Sequence, residues 1–180
     1  MKILVPIAYG AESLETVTLV NVLRRAALRV SVASIEPELT VIGTRDITLT
    51  ADVLFKDVAA LEYDAIMLPG GEKGAANLAA HKPLLEKLQA QRLAHKWYGG
   101  LCAAPALVLA PNGLLDGKQA TCYPAFRDQL IHYVDQPVVV DGHCVTGQGP
   151  AAAIPFALKL VELLGGEDKR RLVAQALLAP

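Results

Sequence analysis

Gly99-Gly100-Leu101-Cys102-Ala103-Ala104-Pro105 is the stretch on which the fold turns. An apolar run from Trp97 to Leu101 reads as a strand, it ends at a cysteine flanked by tiny residues, and a helix is expected to start at Ala103. A chain that passes from strand to helix through one sharp, strained residue needs small side chains two positions to either side, and Gly100 and Ala104 stand there. The pattern predicts a nucleophile elbow after a central strand, with the Cys102 sulfur at a helix N-terminus. The helix dipole and free amides there favour a thiolate. A buried structural cysteine at a strand end is the alternative, because free cysteine is commonly buried.

Outward from the elbow, short apolar runs alternate with amphipathic segments. Residues 2–8, Val30–Ile35, Ala65–Leu68, 119–122 and 137–146 read as strands or strand pairs. Residues 39–50 carry two β-branched runs around Gly43, the mark of a hairpin. Helices are expected over 12–27, where Leu14, Val17, Val20, Leu23 and Ala27 fall near helical spacing, and over 83–94, 151–164 and 167–178. This alternation implies an α/β fold with a mostly parallel central sheet and helices on both faces. Ligands of such sheets bind outside the carboxyl ends of the strands, where the 9–15 turn, Pro69-Gly70-Gly71 and the elbow are expected to meet. No repeat, low-complexity tract or long linker divides the 180 residues, which suggests one domain over 1–180.

Composition narrows the function. Seventeen Lys and Arg against eighteen Asp and Glu leave a formal charge of -1, so no basic excess exists to neutralise phosphates, and direct nucleic-acid binding is not expected. Aromatic residues are only 5% of the chain, which argues against a base-stacking surface. Hydrophobic residues at 53% supply enough apolar surface for a packed core. No run approaches the roughly 20 apolar residues of a membrane span, and Met1 to Ala8 reads as a first strand rather than a signal. Cys102, Cys122 and Cys144 are odd in number and lack CxxC spacing. Reduced thiols fit a cytoplasmic protein.

A cysteine hydrolase usually takes a histidine base, yet His81, His95, His132 and His143 all lie outside small-residue or glycine-rich motifs, and Ala103 follows the cysteine. No ligand cluster suggests a metal, and no cofactor is expected. Gly70-Gly71-Glu72-Lys73-Gly74 lacks the spacing of a nucleotide-binding loop.

Several motifs in order then resemble one family. They are Gly10-Ala11-Glu12-Ser13-Leu14-Glu15-Thr16-Val17, Arg24-Arg25-Ala26, Thr44-Arg45-Asp46, Tyr63-Asp64 with Leu68-Pro69-Gly70-Gly71 and Gly74-Ala75, Leu101-Cys102-Ala103-Ala104-Pro105-Ala106, and Gly147-Gln148-Gly149-Pro150 with Phe156-Ala157-Leu158. Together they resemble the ThiJ/PfpI superfamily, in the clade of the human parkinsonism-associated cysteine protein and nearest its bacterial ThiJ/YajL branch. The resemblance implies a flavodoxin-like sandwich and a homodimer packed through the first helix. It also implies catalytic roles for Cys102 and Glu15, and an oxyanion or anion pocket from the Gly71 and Ala103 amides. Tyr123, Arg25, Arg45, Gly70 and Pro150 are expected around the pocket. Glu15 suits the role only if burial raises its pKa, so that a neutral carboxyl donates to the sulfur. Glu12 is its competitor.

One departure stands out: many members carry a histidine before the proline of Thr121-Cys122-Tyr123-Pro124, and this chain has Tyr123. A phenol with an ordinary pKa of about 10 is a poor proton shuttle at neutral pH. The resemblance implies a stress-response protein acting as a glutathione-independent glyoxalase or deglycase on small reactive carbonyls such as methylglyoxal, or on their protein and nucleotide adducts. A non-enzymatic oxidation sensor or redox-regulated chaperone, working through a Cys102 sulfinate, is the alternative.

Overall fold

A computed structural model describes residues 1–179. Seven strands form one sheet: β1 (Lys2–Ile7), β2 (Arg29–Ser34), β5 (Val53–Leu54), β6 (Ala65–Leu68), β7 (Trp97–Leu101), β8 (Val138–Asp141) and β9 (Cys144–Gly147). Their order is β5-β2-β1-β6-β7-β9-β8, and every pairing is parallel except that of β8 with β9. A separate antiparallel hairpin joins β3 (Thr40–Ile42) to β4 (Thr48–Thr50), around Gly43 as the sequence implies. The flanking helices are α1 (Ser13–Arg25), α2 (Phe55–Val58), α3 (Glu72–Ala80), α4 (Lys82–Leu93), α5 (Ala153–Gly165) and α6 (Glu167–Leu177). This is the flavodoxin-like α/β architecture expected. Strands β1, β6 and β7 sit in mid-sheet and are buried almost throughout, so they read as continuous apolar runs.

Three local expectations are corrected, and one helix appears that none anticipated. Residues 119–122 do not form a strand; Ala120 makes only an isolated bridge to Tyr133. The Thr121 N–H goes instead to the Thr146 side-chain oxygen at 3.0 Å, which takes it out of any ladder. The segment after the elbow is not a regular α-helix: Pro105–Leu109 is a single π-helical turn, followed by a tight turn over Ala110–Asn112 and left-handed Gly113. Pro105 and Pro111 remove two donors that a longer helix needs. Helix α3 escapes the sequence pattern, because its small residues, Gly74-Ala75-Ala76, carry little periodic signal. On α1 the buried face is Glu15, Leu19, Val22 and Leu23, whereas Leu14 and Val17 are 53% and 54% exposed.

Clearance between strands is set by glycine. A Cβ on Gly99 would stand 1.8 Å from the Val145 carbonyl oxygen of β9. Backbone cannot yield there without breaking the β7–β9 pairing. Gly99→Ala is expected to cost about 3 kcal/mol or more, read by urea unfolding; a loss below about 1 kcal/mol would contradict this packing.

Candidate active site

Three chain segments meet beyond the carboxyl ends of β1, β6 and β7: the first turn of α1, the Gly70-Gly71 turn and the Cys102 elbow. Cys102 has φ of 60°, a left-handed conformation that costs a non-glycine residue roughly 1–3 kcal/mol. Its own backbone holds it there. The Cys102 N–H donates to the Gly147 carbonyl at 2.8 Å, and its carbonyl accepts from the Tyr123 N–H at 2.8 Å. A Cβ on Gly100 would lie 3.0 Å from that of Ala104, which is the small-residue requirement the sequence suggests. A Cβ on Gly70 would lie 2.5 Å from Cys102 Cβ and 2.7 Å from Glu15 Oε2. Gly71 has φ of 85°, and a side chain there would strike the Gly10 carbonyl.

Glu15 is fully buried directly beneath this turn. Its Oε2 accepts from the Gly70 N–H at 2.7 Å, while Oε1 has no hydrogen-bond partner. Burial lifts the carboxyl from an ordinary 4.5 to about 7, against the opposing pull of the Gly70 amide and the Cys102 thiol, and Glu12 adds a small push upward. The raised value is what the neutral-donor idea requires.

Two influences oppose each other at the elbow thiol. Burial pushes the Cys102 thiol up to about 12, and repulsion from an ionised Glu15 pushes it further, while the Gly71 and Ala103 amides pull it down. Burial outweighs these two amides. The carboxyl and the thiol therefore behave as a coupled acid pair. Burial disfavours charge on both groups, and an ionised Glu15 raises the thiol further. Both expected anion donors, Gly71 and Ala103, do reach the sulfur with their N–H groups.

Above Cys102 lies a cavity of about 480 Å³. Gly71, Ala103, Tyr123, Arg45 and Pro150 line it as anticipated, with Tyr9, Glu12, Thr44, Lys73 and Phe126 in addition. The hairpin delivers Thr44 and Arg45 because it is tied to the start of α1: Gly10 N–H donates to the Ile42 carbonyl at 2.8 Å and Thr44 N–H to the Ala11 carbonyl at 2.9 Å. Gly70 is not in the wall but behind it, holding Glu15. Arg25 is not brought to this cavity; it bonds Asn21 at 2.8 Å and lines a separate cleft beside α1. Glu12 caps α1, its carboxylate accepting from the Leu14 N–H at 3.4 Å. Among the described residues no histidine lines the cavity: His81 caps α4, and His95 and His143 pack near Trp97 at the other end of β7. Cys122 and Cys144 are buried elsewhere, and burial lifts their thiols to about 11 and about 12. Lys73, 4.5 Å from the Tyr9 ring centroid, and Phe126 are legible as residue types but carry no spacing that marks them.

Residues 1–163 match the DJ-1/PfpI family. The chain belongs to that family. It is 42% identical over 179 residues to DJ-1 homolog A of Arabidopsis thaliana, covering 98% of this chain and 46% of that protein, so it spans about half the length of that relative. It is 34% identical over 165 residues to a Caenorhabditis elegans protein named glutathione-independent glyoxalase DJR-1.2, covering 88% of this chain and 86% of that one. The solved structure of oxidized Toxoplasma gondii DJ-1 superposes with a TM-score of 0.97 at 38% identity, covering 99% of this chain and 98% of the other. Among the described residues no helix is long and apolar enough to cross a membrane, and no three His, Cys, Asp or Glu side chains are grouped to hold a metal.

The Glu15 shift has a sign that stability can report. A carboxyl with a raised folded pKa stabilises fully below its ordinary 4.5 and loses that contribution as pH rises through about 7. Stability is expected to fall by roughly 3 kcal/mol from this group across that window. Glu15→Gln flattens the fall in urea unfolding between pH 5 and 8. An equally steep fall in the variant would assign the dependence to other groups.

Proposed function

We propose that this DJ-1/PfpI chain is a cysteine-dependent glyoxalase acting on small 2-oxoaldehydes such as methylglyoxal or their adducts, without glutathione. The observation that carries the reading is a carboxyl titrating near 7, buried against a thiol at the floor of a cavity and beside two backbone amides. The name of the Caenorhabditis elegans relative supports it. As Cys102 Sγ bonds to the aldehyde carbon, its proton passes to ionised Glu15. The aldehyde oxygen gains negative charge facing the Gly71 and Ala103 amides, takes a proton, and a hemithioacetal results. The hydrogen on that carbon then leaves as a proton and returns on the neighbouring carbonyl carbon, while the hemithioacetal hydroxyl proton passes to the neighbouring carbonyl oxygen, giving a lactoyl thioester. Water cleaves the thioester and restores the thiol. The sum is methylglyoxal plus water to lactic acid, with no outside oxidant. Glu15 does the proton work, so a tyrosine rather than a histidine at position 123 leaves the route intact.

NMR of lactate formation without glutathione tests this. Wild type is expected to turn over, Cys102→Ser not at all, and Glu15→Gln at least about a hundredfold more slowly. Its kcat/KM is expected to rise with pH through an apparent pKa near 7, where the pair loses its first proton. Turnover that survives in Cys102→Ser overturns the reading.

A second reading is favoured by the same donors. A sulfinate on Cys102 receives hydrogen bonds from protonated Glu15 and the two amides, and the Toxoplasma gondii neighbour was solved oxidized. Two added oxygens on Cys102 at low peroxide, with no carbonyl turnover, would make oxidation sensing the function. The exposed Leu14 and Val17 of α1 support a homodimer through that helix. Val17→Asp is expected to shift sedimentation towards monomer; an unchanged profile would place the contact elsewhere.

A further inference from the structure

The cavity over Cys102, about 480 Å³, is of the size that houses a drug-sized ligand, and a three-carbon aldehyde leaves most of it empty. Cys102 itself is only 9% exposed at the floor, so the extra room lies above the reacting atom. Its walls include a pair of aromatic rings. Tyr123 and Phe126 stand 6.4 Å apart at 52°, and Tyr123 remains 44% exposed. The pair is held in register with the nucleophile by two successive backbone hydrogen bonds, from the Tyr123 N–H to the Cys102 carbonyl at 2.8 Å and from the Phe126 N–H to the Tyr123 carbonyl at 2.9 Å. Gly149 makes room for the first ring, since a Cβ there would lie 3.3 Å from Tyr123 Cδ2. Tyr9, beneath the Lys73 ammonium, adds a third ring to the lining.

We infer that the site selects an aryl-substituted 2-oxoaldehyde, with the aldehyde carbon at Cys102 Sγ and the aryl ring against Phe126 and Tyr123. This rests on the carbonyl-addition reading above. Offset or edge-to-face contact with an aryl group is worth more than burial of a methyl of equal position. The bond changes are those already given, so phenylglyoxal plus water yields mandelate. Phe126 is the selecting residue because its ring bears on the substrate and on none of the proton transfers.

The measurement is the ratio of kcat/KM for phenylglyoxal to that for methylglyoxal, without glutathione. A ratio of roughly ten or more in wild type is expected to fall towards one in Phe126→Leu, which keeps apolar packing and removes the ring. A wild-type ratio near one, or a ratio unchanged in the variant, overturns the inference. If wild type turns over neither aldehyde, the glyoxalase reading falls, and binding of the product anions decides the pocket. Mandelate binding roughly tenfold tighter than lactate, lost in Phe126→Leu, then sustains the aryl site, and equal binding removes it.

Discussion

One buried carboxyl organises the chemistry of this protein. Glu15, on the first turn of α1, accepts a 2.7 Å hydrogen bond from the Gly70 N–H, a residue 55 positions away in the chain. That bond ties the helix to the turn after β6 and places the acid under Cys102. Burying a carboxylate costs far more than burying a carboxylic acid, so the interior lifts the group's proton affinity until it titrates near neutrality. Its other oxygen, Oε1, is buried without a hydrogen-bond partner.

The elbow presents the Cys102 thiol beside that carboxyl at the cost of strain. Cys102 holds a left-handed backbone angle, and the surroundings over-determine it through bonds to Gly147 and Tyr123 on either side of its peptide. The approach is possible only because Gly70, Gly99 and Gly100 leave no side chain between neighbouring strands and turns. Behind Cys102 the chain continues into a π-helical turn at Pro105–Leu109, and burial raises the thiol's proton affinity against the pull of the Gly71 and Ala103 amides.

Much of this is legible from local pattern. Val5 and Ile66 sit in short apolar runs that can only be inner strands, and Gly100 with Ala104 marks the sharp turn around Cys102. Where long-range partners decide the outcome, local pattern fails. Thr121 looks like a strand residue, yet its amide is claimed by a threonine on β9. Leu14 and Val17 have the spacing of a core stripe, yet the polar Glu15 is buried in their place. Arg25 and Arg45 are alike as isolated cations, and only the hairpin's ties to the start of α1 bring Arg45 to the cavity and leave Arg25 outside.

By itself the sequence determined the α/β class and the position of the elbow, because each is written within a few consecutive residues as steric or hydrophobic requirement. Tertiary structure alone decided the proton affinities of Glu15 and Cys102, the face of α1 that is buried and the aromatic wall above the sulfur. These depend on desolvation and on distances between segments tens of residues apart, and no local spacing encodes either quantity.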